Sequence, residues 1–581
     1  MLKRVSLLIL GILLSSNTYA MTDAELAAEE QKYLQQIDQI AEEKRQLLKQ
    51  MEEIEKVRKA GISLPAPEIK KEIVPVKETI YVKEIIVEGV SVFSVRKIRS
   101  IVSKYSNREL SKIDIGNIQT KLQNLYMNKG YTAARVYIDI NTLPQGILKF
   151  VVLEGVIEKI RFSDKQDPLP IFMAFPFLEG NVFNIRNIEQ GLEQMNKIKS
   201  NDVVMNIVPG EKEGETIVEL KNKPSRRTRL NIGVDNAGSE TTKEYRNTTG
   251  LEIDNFFRLN DNLTLNYVRG LNDKEDEFYS NTYSAIMSIP FGYWTFSANY
   301  SKSFYLTTVP GLFGNIQSKA DSYTQGLSVD KMLFRGQRYR FSSGVKISRK
   351  EVNSFLIQGI ISQKLPSSMQ IAPAELYIMD THYLENGSLM IRLNYIRGLD
   401  AFGAQKDPQD IKIGDPKAQY EALGALGYFY SIFNVPGVNF PLTYMANFRA
   451  QYSWYDLLGS EQFGTSVRGF KDGGVSGESG FSISNDITTP LENCFSFFDD
   501  KNVTKALKYF SIGVFYDVGM IRPNTYGSVQ TMSSWGPTIS GNYLKYINFN
   551  LSLANIIAVP DYFYGEKSSV SFSVNTNIPL F

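Results

Sequence analysis

Phe510-Ser511-Ile512-Gly513-Val514-Phe515-Tyr516-Asp517-Val518-Gly519 alternates two kinds of side chain. Phe510, Ile512, Val514, Tyr516 and Val518 make one apolar face, and Ser511, Gly513, Phe515, Asp517 and Gly519 make the other. A period of two belongs to a β-strand, here one with a face for an apolar medium and a face that carries a carboxylate. The same dyad recurs far away. Leu230, Ile232 and Val234 alternate with Asn231, Gly233 and Asp235, and Leu263, Leu265 and Tyr267 with Thr264, Asn266 and Val268. Val570, Phe572 and Val574 alternate with Ser571, Ser573 and Asn575. Turn signals such as Asn272-Asp273, Asn386-Gly387 and Gly541-Asn542 punctuate the strands.

The alternating tract, 225–581, follows Pro224, and its strands span 581 − 227 = 354 positions from residue 228. At roughly 22 residues per strand and connection, it predicts about 16 strands, within the range of bacterial barrels. A soluble sandwich also alternates, but 354 residues without a convincing helix is long for one. No run of 18 apolar residues follows the N-terminal segment, so passage through lipid would require a closed barrel, which satisfies every backbone group without helices. In such a barrel the Phe510–Val518 face meets lipid and Asp517 points inward, because a charge at mid-depth on the lipid face costs up to ~2–4 kcal/mol. The final strand-like run ends on Phe581, as outer-membrane barrels commonly end.

About fifty residues before Asp517 lies Gly464-Thr465-Ser466-Val467-Arg468-Gly469-Phe470, continuing through Asp472-Gly473-Gly474 to Gly477-Glu478-Ser479-Gly480-Phe481. Its glycines permit tight and left-handed turns, so a loop over about 461–481 can fold back and present Arg468 inside the barrel. Arg468 offers a bidentate partner to an inward Asp517. In a wet lumen that pair is worth only ~0–1 kcal/mol, and its value would be positional.

Upstream, Lys3 and Arg4, the apolar run Val5 to Leu14 and Thr18-Tyr19-Ala20 predict a signal peptide over 1–20. Residues 21–61 are rich in Glu, Lys, Gln and Ala and lack Gly and Pro until Gly61, which predicts one long helix. Tyr33, Ile37, Ile40, Leu47, Met51 and Ile54 give it a heptad-like seam, interrupted by Lys44. A helix ~10–12 Å across fits a wide barrel as a plug, and a coiled-coil partner would use the same residues. Pro65, Pro67 and Pro75 make 62–78 a linker. Two similar α/β units follow. The first, 79–155, reads as a strand at Lys83–Val90, helices at Val95–Tyr105 and Ile113–Asn128, and strands at Ala133–Ile140 and Gly146–Leu153. The second, 156–224, reads as a strand at Val156–Phe162, a helix at Ile185–Lys199, and strands at Val203–Pro209 and Thr216–Leu220. This is a tandem repeat.

Composition argues against several chemistries. Net charge is +2, which gives no field for nucleic acid. The single cysteine, Cys494, and single histidine, His382, disfavour metal centres and Ser/His/Asp triads. Gly474-Val475-Ser476-Gly477 misses the nucleophile-elbow spacing, Asp407, Asp410 and Asp415 lack calcium-loop spacing, and neither α/β unit carries a phosphate loop. No catalytic residue, cofactor, metal or nucleotide is therefore expected, and the chain reads as no enzyme.

Signal peptide, helix, linker, two α/β repeats and barrel together resemble the outer-membrane transporters of two-partner secretion, the FhaC/ShlB/HecB type. The α/β units resemble that family's POTRA domains. Val467-Arg468-Gly469-Phe470 is similar to the family's lumen-loop motif, and Phe515, Asp517 and Gly519 to its strand motif Phe-x-Asp-x-Gly. Leu251-Glu252-Ile253-Asp254-Asn255 and Ile289-Pro290-Phe291-Gly292-Tyr293-Trp294 resemble further segments early in the barrel. The resemblance implies a mostly β protein in the outer membrane of a Gram-negative bacterium, with periplasmic POTRA domains and a loop arginine meeting the strand aspartate. It implies as partners a large unfolded exoprotein (adhesin, haemolysin or contact-dependent toxin), outer-membrane lipid and, for insertion, the barrel-assembly machinery. An extended client could add as a strand to a POTRA sheet edge, with Tyr131, Arg135 and Val136, or Val203, Met205 and Ile207, as candidate contacts. A barrel-assembly insertase and a passive porin are the competing readings.

Overall fold

The computed structural model describes residues 79–580 apart from 165–166, 239–243, 272–277, 312–313, 359–360, 366–367, 438–439, 466, 471–474, 495–506, 525–526, 544–545 and 562–566. The signal peptide, helix and linker expected over 1–78 lie outside the described residues, as do Asn272-Asp273, Ser466, Asp472-Gly473-Gly474 and Phe581.

The first α/β unit holds a three-stranded sheet in which Ile147–Leu153 is central, parallel to Glu84–Glu88 and antiparallel to Arg135–Asp139. Helices Val95–Val102 and Lys112–Asn128 close its core around Leu122, Tyr126, Leu148 and Phe150. Ser111 and Asp114 form a reciprocal capping box that starts the longer helix. A short antiparallel ribbon, Thr79–Val82 with Arg108–Ser111, adds to the expected elements.

The second unit repeats the plan. Glu215–Asn222 is central, parallel to Val156–Phe162 and antiparallel to Val203–Pro209. Its helix runs Ile185–Asn196 and stops short of Lys199. The Asn196 side chain turns out of the helix to donate to the Val203 carbonyl and accept from its amide, both at 2.8 Å. A further helix, Leu169–Ala174, is too short for periodicity to reveal.

Sixteen antiparallel strands then close a barrel. They are Thr228–Asp235, Arg246–Asp254, Asn262–Gly270, Tyr279–Phe291, Trp294–Gly311, Gly314–Arg335, Tyr339–Gln358 and Pro373–Leu384 in the first half. Gly387–Gly398, Glu421–Asn434, Pro441–Ser453, Ser479–Pro490, Phe510–Arg522, Gln530–Tyr543, Ile547–Ala558 and Ser568–Pro579 complete it. The last strand pairs with the first, from Pro579 opposite Arg229 to Ser573 opposite Asp235, so no edge is left to lipid. Exposure follows the alternation: Val514 and Tyr516 are 51% and 47% exposed, whereas Phe515 and Asp517 are buried. Strands five to seven, up to 22 residues long, exceed the ~9–11 a bilayer needs and rise beyond it at the end away from the α/β units.

One expected turn moves. Gly541-Asn542 lies inside the strand Gln530–Tyr543. The Phe549 ring occupies the space a Cβ at Gly541 would take, so this glycine serves cross-strand packing. Asn386-Gly387 does join two strands, with Leu384 opposite Gly387.

The second α/β unit is seated on the barrel's near turns. Gln194 Nε2 donates to the Gly292 carbonyl at 2.8 Å, and the Gly292 amide donates to the Met173 carbonyl at 2.8 Å. Asn260 Nδ2 donates to the Pro170 carbonyl. Glu193 receives Arg335 and Arg340 from the sixth and seventh strands.

Candidate functional site: a loop clasped inside the barrel

The connection between the eleventh and twelfth strands, 454–478, turns inward. Phe463–Gly464 pairs with Ser476–Gly477 to form its neck. Phe463 of the neck, with Val467, Phe470 and Val475 beyond it, packs against Ile521 and Met532 of the thirteenth and fourteenth strands. Gly469 has φ = +100° and lies against Ala554 and Ile556 of the fifteenth strand. A left-handed residue touching the wall this closely suits glycine.

Arg468 is the centre of the clasp. Its Nε donates to Asp517 Oδ2 and its Nη2 to Asp517 Oδ1, each at 2.7 Å, and its backbone amide adds a third bond to Oδ2 at 3.0 Å. Nη1 donates to Asp486 Oδ1 at 2.7 Å and Nη2 to Asp486 Oδ2 at 3.2 Å. The guanidinium lies 3.8 Å from the centre of the Phe515 ring, within cation–π range. The Ser534 hydroxyl donates to the Arg468 carbonyl. Gly519 leaves room for the loop, since a Cβ there would sit 2.8 Å from Thr465 Cγ2 and 3.0 Å from Val467 Cγ2.

Two features depart from the solvated pair expected above. Asp517 is fully buried, and Asp486 supplies a second carboxylate that the motifs do not name. Phe481 and Ile487 face lipid at 39% and 38% exposure, so the same alternation that directs Asp517 inward directs Asp486. One guanidinium bridges two carboxylates in this clasp, so losing the arginine leaves two carboxylates facing each other without a cation, whereas losing one aspartate leaves a balanced pair.

A second anchor holds the loop's start. Glu461 accepts from Lys350 Nζ at 2.7 Å and from the Tyr420 hydroxyl at 2.5 Å. Lys350 belongs to the seventh strand and Asp517 to the thirteenth, so the loop spans the interior from one wall to another.

The candidate client contacts fall outside the barrel. Tyr131 is in the first unit's core, edge-on to Phe93 and Tyr126. Val136 and Val203 are buried, Arg135 is exposed, and Met205 and Ile207 pack half-buried on the second core. Both candidate strands are sheet edges, but not equally open ones. Gln123 holds the Val136 amide at 3.1 Å and Gln119 its carbonyl at 2.7 Å, which covers the first edge. On the second, Asn196 covers Val203 alone. Outward-pointing residues alternate in an antiparallel strand, so Met205 and Ile207 turn their amides and carbonyls to the open side.

Two α/β units on a closed sixteen-strand barrel, with a loop drawn into it, define a POTRA–barrel outer-membrane transporter. The family model for haemolysin secretion/activation protein ShlB/FhaC/HecB matches residues 214–540, more than half of the chain, and POTRA models match 80–155 (ShlB-type) and 156–209. The chain belongs to the ShlB/FhaC/HecB family, and it is an outer-membrane translocation pore of two-partner secretion with its POTRA domains in the periplasm. Outer membrane transporter CdiB of Dickeya dadantii (strain 3937) is 28% identical over 396 residues, 67% of this chain and 68% of that protein. Hemolysin transporter protein ShlB of Serratia marcescens is 26% identical over 407 residues, 69% and 70% of the two chains. The structure of CdiB from Escherichia coli superposes with a TM-score of 0.80 at 23% identity, over 97% of this chain and all of that one.

Proposed function

We propose that the cargo is a large exoprotein of the haemolysin or contact-dependent toxin class, delivered unfolded. Its extended segments add as a strand beside Met205 and Ile207, where the backbone of the Val203–Pro209 edge is open. The cargo then enters a barrel whose interior is crossed by the Arg468 loop, and the loop gives way as Arg468 leaves Asp517 and Asp486. That clasp inside a closed wall is the observation that carries the reading: a passive pore has no need of it. Residues 21–61 are proposed to occupy the remaining lumen at rest. The hemolysin transporter of Serratia marcescens supports the cargo class. Catalysis has no part in this reading.

Deleting the gene and comparing the secreted and surface proteins tests it. One very large protein should vanish from both, and should photo-crosslink to a benzoyl-phenylalanine placed at Ile207. An unchanged secreted profile overturns the reading.

A further inference from the structure

The second POTRA domain carries an exposed aromatic patch that the secretion reading does not use. In the segment after Asp167, Phe172 and Phe177 are 46% and 76% exposed, with Leu169 beside them. Phe172 meets Phe177 edge-on at 5.7 Å and the barrel's Phe291 at 5.9 Å. Phe177 also has φ = +58°, a backbone conformation that a bulky residue adopts only when its surroundings impose it. Asn181 Nδ2 holds the Phe177 carbonyl at 2.6 Å in that conformation. The chain thus accepts strain and holds a phenyl ring in the open.

The direction of the patch decides its occupant. Phe291 is paired across the hairpin with Trp294, and paired residues share a sheet face. Trp294 and Phe296 are outward, at 38% and 45% exposure, so Phe291 belongs to the lipid-facing surface. The next near turn adds Phe256 and Phe257, both more than half exposed, at the end of a strand whose Glu252 and Asp254 are buried inward. Basic groups accompany the rings: Lys331 Nζ sits 4.5 Å from the Trp294 ring centre, and Arg258 is largely exposed. Aromatic rings interleaved with lysine and arginine are the side chains that settle at the headgroup level of a bilayer.

We infer that Leu169–Phe177 of the second POTRA domain docks on the periplasmic leaflet and extends the barrel's aromatic girdle onto phospholipid. The domain is then fixed at three places, by the Glu193 seam, by the Gly292 turn and by the membrane surface. Its open Met205–Ile207 edge is held in one orientation beside the pore.

The test is collision accessibility of nitroxide labels on the full chain in vesicles of phosphatidylethanolamine and phosphatidylglycerol. In a Cys494→Ser background, Phe177→Cys is labelled, with Leu265→Cys as the lipid-facing reference and Tyr137→Cys as the aqueous one. The label at 177 should collide with oxygen more than with a nickel chelate, as at 265, and its spectrum should broaden when lipids spin-labelled near the headgroup are added. Phe256→Cys gives the same reading should the first variant fail to assemble. A label at 177 that behaves like the one at 137 overturns the inference. So does one shielded from both reagents, which would mean that a second copy or the client covers the patch.

Discussion

Arg468 approaches Asp517 side-on, with Nε and Nη2 each 2.7 Å from a different carboxylate oxygen. This fork resists thermal loosening better than a single contact, because one bond holds the geometry while the other re-forms. Replacing Arg468 by Lys keeps the charge and loses the fork, the reach to Asp486 and the flat contact with Phe515. Arg468→Lys should therefore secrete far less than wild type, and Arg468→Ala should secrete nothing, with the barrel still heat-modifiable on gels. Secretion assays with that folding control decide it.

Charge balance gives a sharper prediction. Removing Arg468 leaves two carboxylates facing each other, whereas Asp517→Asn leaves Asp486 to hold the arginine. Breaking one side of a buried pair costs about 3–5 kcal/mol. The double variant Arg468→Ala/Asp517→Asn should lose much less than the sum of its parts. Trypsin cleavage within the loop reads docking directly, and additive losses would show that the two residues act independently.

At the seam between POTRA and barrel, Glu193 is shared by Arg335 and Arg340. Burial opposes its ionisation, yet the two guanidinia beside it hold its carboxyl below the usual range. Glu193→Ala should leave the buried Arg340 without its carboxylate and Arg335 with Glu189 alone, 3.5 Å away, at a cost on the order of 3–5 kcal/mol. Electron-spin distances between labels at Tyr137→Cys and Leu384→Cys should change from a narrow distribution to a broad one.

Acid should loosen the first POTRA domain through Glu154. Burial pushes this carboxyl up, but hydrogen bonds from the hydroxyls of Ser91 and Tyr126 and the amides of Ser91 and Val92 outweigh it and bring it below its ordinary 4.5. A depressed carboxyl contributes stability above pH 4.5 and loses it as pH falls through the folded value. Amide exchange at Tyr126 and Phe150 should be faster in Glu154→Gln than in wild type at pH 7. The gap should start to narrow only below pH 4.5 and close once pH has fallen through the depressed folded-state value, where both carry a neutral side chain.

How far the site was legible can be judged residue by residue. Alternation alone directs Asp517 inward, since parity along a strand decides its face. Asp486 obeys the same parity, but nothing in its own stretch says that it will lie beside Phe515, which depends on the register between two strands. The Arg335–Glu193–Arg340 contact joins residues about 140 apart and depends on where a domain sits on a barrel, which no local pattern encodes. The Leu169–Ala174 helix is six residues long, less than two turns, so its periodicity is mute. Gly541 misled because glycine marks turns and also clears space beneath an aromatic ring.

Gly519 isolates the loop's docking from its charge. A methyl group there would press on Thr465 Cγ2 and Val467 Cγ2, while the strand itself tolerates alanine and neighbouring Val518 shows that side chains fit its other face. Those two contacts belong to the loop and not to the wall, so the strain falls on the docked state alone. Gly519→Ala should shift the loop by a few tenths of an ångström, and Gly519→Val should expel it, with overpacking of this kind costing about 1–3 kcal/mol. Single-channel recordings in planar bilayers should then show larger or more frequent openings for Gly519→Val, although Arg468, Asp486 and Asp517 are all still present. An unaltered current trace would mean that the clasp alone positions the loop and that its apolar packing against Ile521 and Met532 contributes little.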